Sequence, residues 1–134
     1  MPIYLAAEQQ LNVASATVIE APAQEGSFVV VFEDDEETGY FYALDTSADE
    51  NPIQDALHIY NVDEISDREK PSTVKIGWSM DHSKAVLLIN DHPHAVFDFT
   101  GKQGYCHSGF PPSVGKGWSP QGHEWKDDVL KLFA

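Results

Sequence analysis

The spacing of short hydrophobic runs constrains this chain more than any other feature. From LNVASATVIE onward it is cut into segments rich in β-branched and aromatic residues, each bounded by turn chemistry. SFVVVF leads into the acidic turn EDDEETG and then YFYALD. ALHIYNV follows TSADENP, and TVKIGWSM follows DEISDREKP. Asp81-His82-Ser83 turns into KAVLLI, and Asn90-Asp91 turns towards AVFDF. Centres about 8 to 15 residues apart, with no long helical pattern between them, predict an antiparallel β-meander. The expected fold is mainly β (α+β), with the meander forming a curved sheet or small sandwich. VVVF and AVLLI are apolar on both faces, which predicts central strands covered on each side.

A cover is expected from the C-terminus. Trp125, Val129 and Leu132 fall at helical spacing, with Leu130 and Phe133 widening the stripe. Ser119 and Pro120 offer a helix start, and Gly122 moves the expected start nearer His123. Before it, GYCHSGFPPSVGKGWSP carries four glycines and three prolines, which predicts an irregular crossover pinned by Tyr105, Phe110 and Trp118. Loops of that length often bind ligands.

A chain of 134 residues is sized for one domain, expected to span 1–134. Its 42% hydrophobic and 11% aromatic content is that of a globular protein. No apolar run approaches the roughly 20 residues of a membrane helix. MPIYLAAEQQ lacks a basic and then apolar signal pattern, so no secretory leader is expected. The single cysteine, Cys106, excludes an internal disulfide and points to a reducing cytoplasm.

Charge is unevenly placed. Residues 1–70 hold 16 Asp and Glu against Arg68 and Lys70, whereas residues 71–134 hold six acids and six lysines. The net charge of −14 therefore resides in the first 70 residues. Such a surface repels phosphate backbones and anionic lipid, so neither nucleic acid nor membrane is an expected partner; a basic protein is.

Candidate chemistry gathers around NDHPHAVFDF. His92 and His94, at i and i+2 on a strand, would share a face about 7 Å apart, a spacing found in β-sheet metal sites. Pro93 between them instead makes His92 a turn residue, with the strand starting at His94. Cys106 in a Gly-rich loop, with His94 as base and Asp98 as orienter, fits the logic of nucleophilic catalysis. Against it, His94 and Asp98 would lie about 13 Å apart on one strand. Glu33, Asp34 and Asp35 open an acidic turn without the alternation of a calcium loop, either a solvated turn or a binding patch for a basic protein surface. Tyr40 and Tyr42 fall on one strand face and, with Tyr60, could floor a binding surface or pack across strands.

EDDEETGYFYALD, DALHIYNV, LLINDHPHAVFDF and GYCHSGFPP, in that order, resemble a family of small bacterial proteins of unknown function. The similarity runs from about Leu11 through Pro112, with a weaker echo near Trp118. It implies a bacterial, single-domain cytoplasmic protein and supplies no activity, cofactor or catalytic residue. His94, Asp98 and Cys106 occupy matching positions. Asp91 and His92 stand where a glycine and an aromatic residue are expected, and His107 where a basic residue such as Arg is expected.

Together these features predict a non-catalytic, acidic protein-interaction domain without a cofactor, of the kind that immunity or inhibitor proteins of bacterial toxins represent. The alternative is a small metal- or cysteine-dependent enzyme centred on His94, Asp98 and Cys106.

Overall fold

Hairpins organise the chain into two sheets. The computed structural model describes residues 3–12, 15–48, 52–64, 70–107, 118–119, 122–126 and 128–129. Among the described residues it forms nine strands: β1 (Ile3–Leu11), β2 (Thr17–Pro22), β3 (Phe28–Asp34), β4 (Thr38–Asp45), β5 (Ile53–Asn61), β6 (Ser72–Ser79), β7 (Lys84–Ile89), β8 (His92–Asp98) and β9 (Gln103–Cys106). All pairings between them are antiparallel. They give a four-stranded sheet in the order β2-β3-β4-β5 and a five-stranded sheet in the order β1-β6-β7-β8-β9. Among the described residues no helix is long and apolar enough to cross a membrane.

The β7–β8 hairpin shows how turn chemistry sets register. Asn90 and Asp91 take φ of 52° and 66°, and Ile89 faces His92 across the two-residue loop. Two successive left-handed residues make a primed turn, whose twist matches that of the flanking strands. Asn and Asp tolerate this backbone without glycine. The Asn90 side chain extends the order sideways, accepting from Thr73 N–H at 3.0 Å. The turn is thus Asn90-Asp91, and the strand begins at His92 rather than at His94.

Alternation along the strands decides what is buried. Val30, Phe32, Phe41 and Ala43 of one sheet meet Ile76, Trp78, Leu87 and Phe97 of the other, all fully buried. Phe41 and Phe97 stack across the interface at 5.2 Å. No backbone ladder joins β1 to β2 or β5 to β9 among the described residues, although each pair runs side by side. Side chains close both seams. At the first, Trp78 Nε1–H donates to the Ala21 carbonyl at 3.0 Å, and the Tyr4 hydroxyl accepts from Gln24 N–H at 3.0 Å.

Three expectations change. IYLAAEQQL forms β1, and LNVASATVIE is divided between the end of β1 and β2 rather than forming one strand. VVVF is central in its sheet but covered on one face only: Val29 and Val31 remain half-exposed. The C-terminal cover is present without the helix at 122–126, where Glu124 instead bridges in parallel to Cys106. Trp125 and Val129 nonetheless pack over Val86, Leu88, Val96 and Tyr105 on the outer face of the five-stranded sheet. Leu130, Leu132 and Phe133, and residues 108–117 of the predicted crossover, lie outside the described residues; Gln103–Cys106 at its start is strand.

The inward and outward faces predict opposite mutational costs. Phe97→Ala removes a fully buried ring and should cost about 3–5 kcal/mol in urea unfolding. Val18→Ala, at a position 56% exposed, should stay within about 0.5 kcal/mol of wild type.

Candidate functional site

The second seam is held by a buried polar cluster. Asp55 points inward from β5, where alternation would place an apolar residue, and its side chain is fully buried. Ala56 N–H and the Ser119 hydroxyl donate to it at 3.0 and 2.7 Å. His123 Nε2–H lies 2.8 and 2.9 Å from its two oxygens. Ser119 in turn accepts from Gly104 N–H of β9 at 2.8 Å. Gly104 has no room for a side chain, because a Cβ there would lie 2.8 Å from the Phe97 ring and 3.0 Å from Asp55 Oδ2. Backbone bonds fix the same segment: Ser119 N–H donates to Lys102 O, and Cys106 N–H to His123 O. Ser119 holds a φ of 48° within this web, a conformation that persists where surrounding bonds over-determine it.

Ser, His and Asp together invite a catalytic reading, and the geometry opposes it. Serine and histidine both bond the same carboxylate, so the hydroxyl donates to Asp55 and not to the imidazole. A nucleophile needs the base at its own oxygen. This cluster is a structural clasp joining β5, β9 and the C-terminal segment.

A second cluster lies on the outer face of the five-stranded sheet. His107 stacks on Trp125 with ring centroids 4.3 Å apart, and His94 meets His107 edge-on at 6.0 Å. His107 Nε2 lies 3.1 Å from the Pro93 carbonyl, to which its N–H donates. Burial first, then the neighbouring His107 and His92, hold the His94 pKa below its ordinary value of 6.5.

The residues singled out from the sequence are divided by these faces. Leu87 opposes Ala95 and Leu88 opposes Pro93, so His94 is the extra residue of a bulge, and the regular alternation between His92 and His94 is lost. Cys106 pairs with Ala95 and is fully buried in the main core, whereas His94 lies against His107 on the opposite face. The structure therefore does not bring His94 and Cys106 together. Asp98 accepts from Gly101 N–H at 3.0 Å in the β8–β9 turn. Among the described residues no three His, Cys, Asp or Glu side chains converge to hold a metal ion.

The acidic turn is engaged with its own backbone. Asp34 Oδ1 accepts from Glu36 N–H at 2.8 Å, and Asp35 Oδ1 from Glu37 and Thr38 N–H at 3.0 and 2.8 Å. Asp34 is buried inward and accepts the Tyr60 hydroxyl at 2.7 Å, and the Tyr60 ring lies over Gly39. Tyr60 and Asp34 thus belong to the core side, away from Tyr40, Tyr42 and Glu33.

Those three share the outer face of the four-stranded sheet. Register sets out three cross-strand rows there: Val18, Glu33, Tyr40 and His58; Glu20, Val31, Tyr42 and Ala56; Pro22, Val29, Leu44 and Ile53. Tyr40 and Tyr42 lie 5.8 Å apart, and His58 meets Tyr40 edge-on at 5.5 Å. Residues 17–61 include neither lysine nor arginine. The five-stranded sheet carries Lys75, paired with Asp91 at 2.8 Å, and Lys84, 3.9 Å from Asp81. The charge imbalance of the sequence is thus an imbalance between sheets.

The chain belongs to the family described as an uncharacterized protein conserved in bacteria (DUF2251), whose model matches residues 11–134. It is 47% identical over 93 residues to an uncharacterized protein of Haemophilus influenzae (strain ATCC 51907 / DSM 11121 / KW20 / Rd), a match covering 69% of this chain and 58% of that protein. The matched region thus spans less than two thirds of that relative. No solved structure matches the chain.

Two outcomes test these assignments. Asp55→Ala strands buried donors and should cost about 3–5 kcal/mol; Ser119→Ala should cost about 1–2 kcal/mol. Urea unfolding that reverses this order would contradict the clasp. At His94, the unfolded chain protonates at a higher pH than the folded one. Below the ordinary 6.5 the unfolded state therefore binds more protons, and stability falls as pH falls. His94→Gln should flatten that acid-side decline, and unchanged slopes would contradict the assignment.

Proposed function

We propose that this chain is a non-catalytic interaction domain of the bacterial cytoplasm that binds a basic protein through the outer face of its four-stranded sheet. The observation that carries the reading is the composition of that face. Half-exposed Val29, Val31, Tyr40, Tyr42 and Leu44 lie among Glu20 and Glu33 on a sheet without a cation of its own. Aromatic and aliphatic side chains supply contact area, and carboxylates without a Lys or Arg beside them supply steering and partner choice. An immunity- or inhibitor-type protein that neutralises a basic enzyme has this chemistry. The buried clasp belongs to folding, which leaves the outer face as the surface for recognition.

The test uses the immobilised full chain and an extract of the parent bacterium. A specific partner should be retained at low ionic strength and released by salt. The double variant Glu20→Lys, Glu33→Lys should weaken retention by about tenfold or more. Glu8→Lys, a charge change at an exposed position on β1 of the other sheet, should leave it intact. Retention of no specific protein at low salt, or equal retention by both variants, would overturn the reading.

A further inference from the structure

Resting on that reading of the outer face, we propose that Glu33, Tyr40 and Tyr42 form a receptor for one guanidinium group, an arginine side chain of the partner. Cross-strand register assembles it. Glu33 on β3 stands opposite Tyr40 on β4, and Tyr42 lies two residues along the same face. Val31 and Ala56 flank Tyr42 from the neighbouring strands. The receptor is therefore a carboxylate beside two rings on the two inner strands of the face, next to the β3–β4 turn.

The platform is preorganised. Tyr40 is held between the edge of His58 at 5.5 Å and the Tyr42 ring at 5.8 Å. His58 is itself anchored, with Nε2 2.9 Å from Asn61 Oδ1. Little side-chain freedom remains to be lost on binding, which favours affinity. A centroid spacing of 5.8 Å is that of a packed aromatic pair. It leaves no slot between the rings, so a cation must lie on their solvent side.

Glu33 supplies the charge. It is half-buried, and no lysine or arginine among the described residues pairs with it. A carboxylate partly withdrawn from water attracts a cation more strongly than a fully solvated one. Its influence on the rings is direct: after burial, the Glu33 charge is the largest cause raising the Tyr42 hydroxyl pKa. Asp35 adds negative potential to Tyr42 from the adjoining turn, and the backbone N–H groups of Thr38 and Glu37 keep its own carboxyl below the usual range, hence ionised.

These features select arginine over lysine. A guanidinium is planar and weakly hydrated, stacks on aromatic faces and presents paired N–H groups to a carboxylate. An ammonium is a compact, strongly hydrated point charge and gains less from the ring faces.

The experiment titrates the ¹⁵N-labelled full chain with N-acetyl-arginine amide, and separately with N-acetyl-lysine amide. The arginine probe should give saturable shifts centred on Glu33, Tyr40 and Tyr42, and should bind roughly threefold or more tighter than the lysine probe. Glu33→Gln should weaken the arginine probe about fivefold, and Tyr40→Leu should reduce its preference over lysine. Glu8→Gln should change neither. Scattered, unsaturable shifts would overturn the receptor, as would equal binding of the two probes or an unchanged affinity in Glu33→Gln. If the probe fails while Glu20→Lys, Glu33→Lys still releases the partner, the docking face stands and the arginine receptor falls. If both fail, the reading of the face falls too.

Discussion

Asp55 is the constraint on which the seam between β5 and β9 depends. Those strands belong to different sheets and share no backbone ladder among the described residues, so side chains must set their spacing. A fully buried carboxylate is costly unless its lone pairs are used. Here Ala56, Ser119 and His123 all donate to it. Apolar burial across Phe41 and Phe97 supplies the general attraction between the sheets, but it is tolerant of small slides. Directional bonds from one carboxylate are not, and they also fix where the C-terminal segment lies. That segment then places Trp125 and Val129 over the outer face of the five-stranded sheet.

The two outer faces consequently differ in kind. One is covered by the protein's own C-terminal residues and carries lysines near its acids. The other presents aromatic and aliphatic rows with carboxylates that have no Lys or Arg on the same strands. Residues 17–61 include no Lys or Arg that could satisfy the charge of the second face from within its own sheet. The buried clasp sits inside the molecule, and the features on which the proposed recognition rests sit outside on a single sheet.

Much of this was legible in the sequence because local signals agreed with the final fold. SFVVVF, YFYALD, TVKIGWSM and KAVLLI are strands, and the acidic turn and Asn90-Asp91 are turns. β1 escaped because Ala6, Ala7, Glu8, Gln9 and Gln10 are poor strand formers; pairing with β6 overrides that preference. The predicted helix arose because Trp125 and Val129 stand four apart. An irregular segment laid across a sheet can bury the same two residues, and Gly122 with a φ of 98° breaks the first turn. The clasp was not legible, since Asp55 lies 64 and 68 residues from its partners. One signal did exist: an acid two residues before Leu57 on the inward face of an apolar strand. His94, Asp98 and Cys106 looked like one constellation because chain proximity cannot reveal a bulge or a change of sheet face.

The central claim is that one carboxylate holds the seam, while each sheet is held by its own ladders and core. Native-state hydrogen exchange on Asp55→Asn measures this most directly. The amides of Ala56, Gly104, Cys106 and Ser119 should lose protection together, while the β6–β7 and β3–β4 ladders retain theirs. Uniform loss across both sheets, or unchanged protection at Gly104 and Ser119, would contradict it.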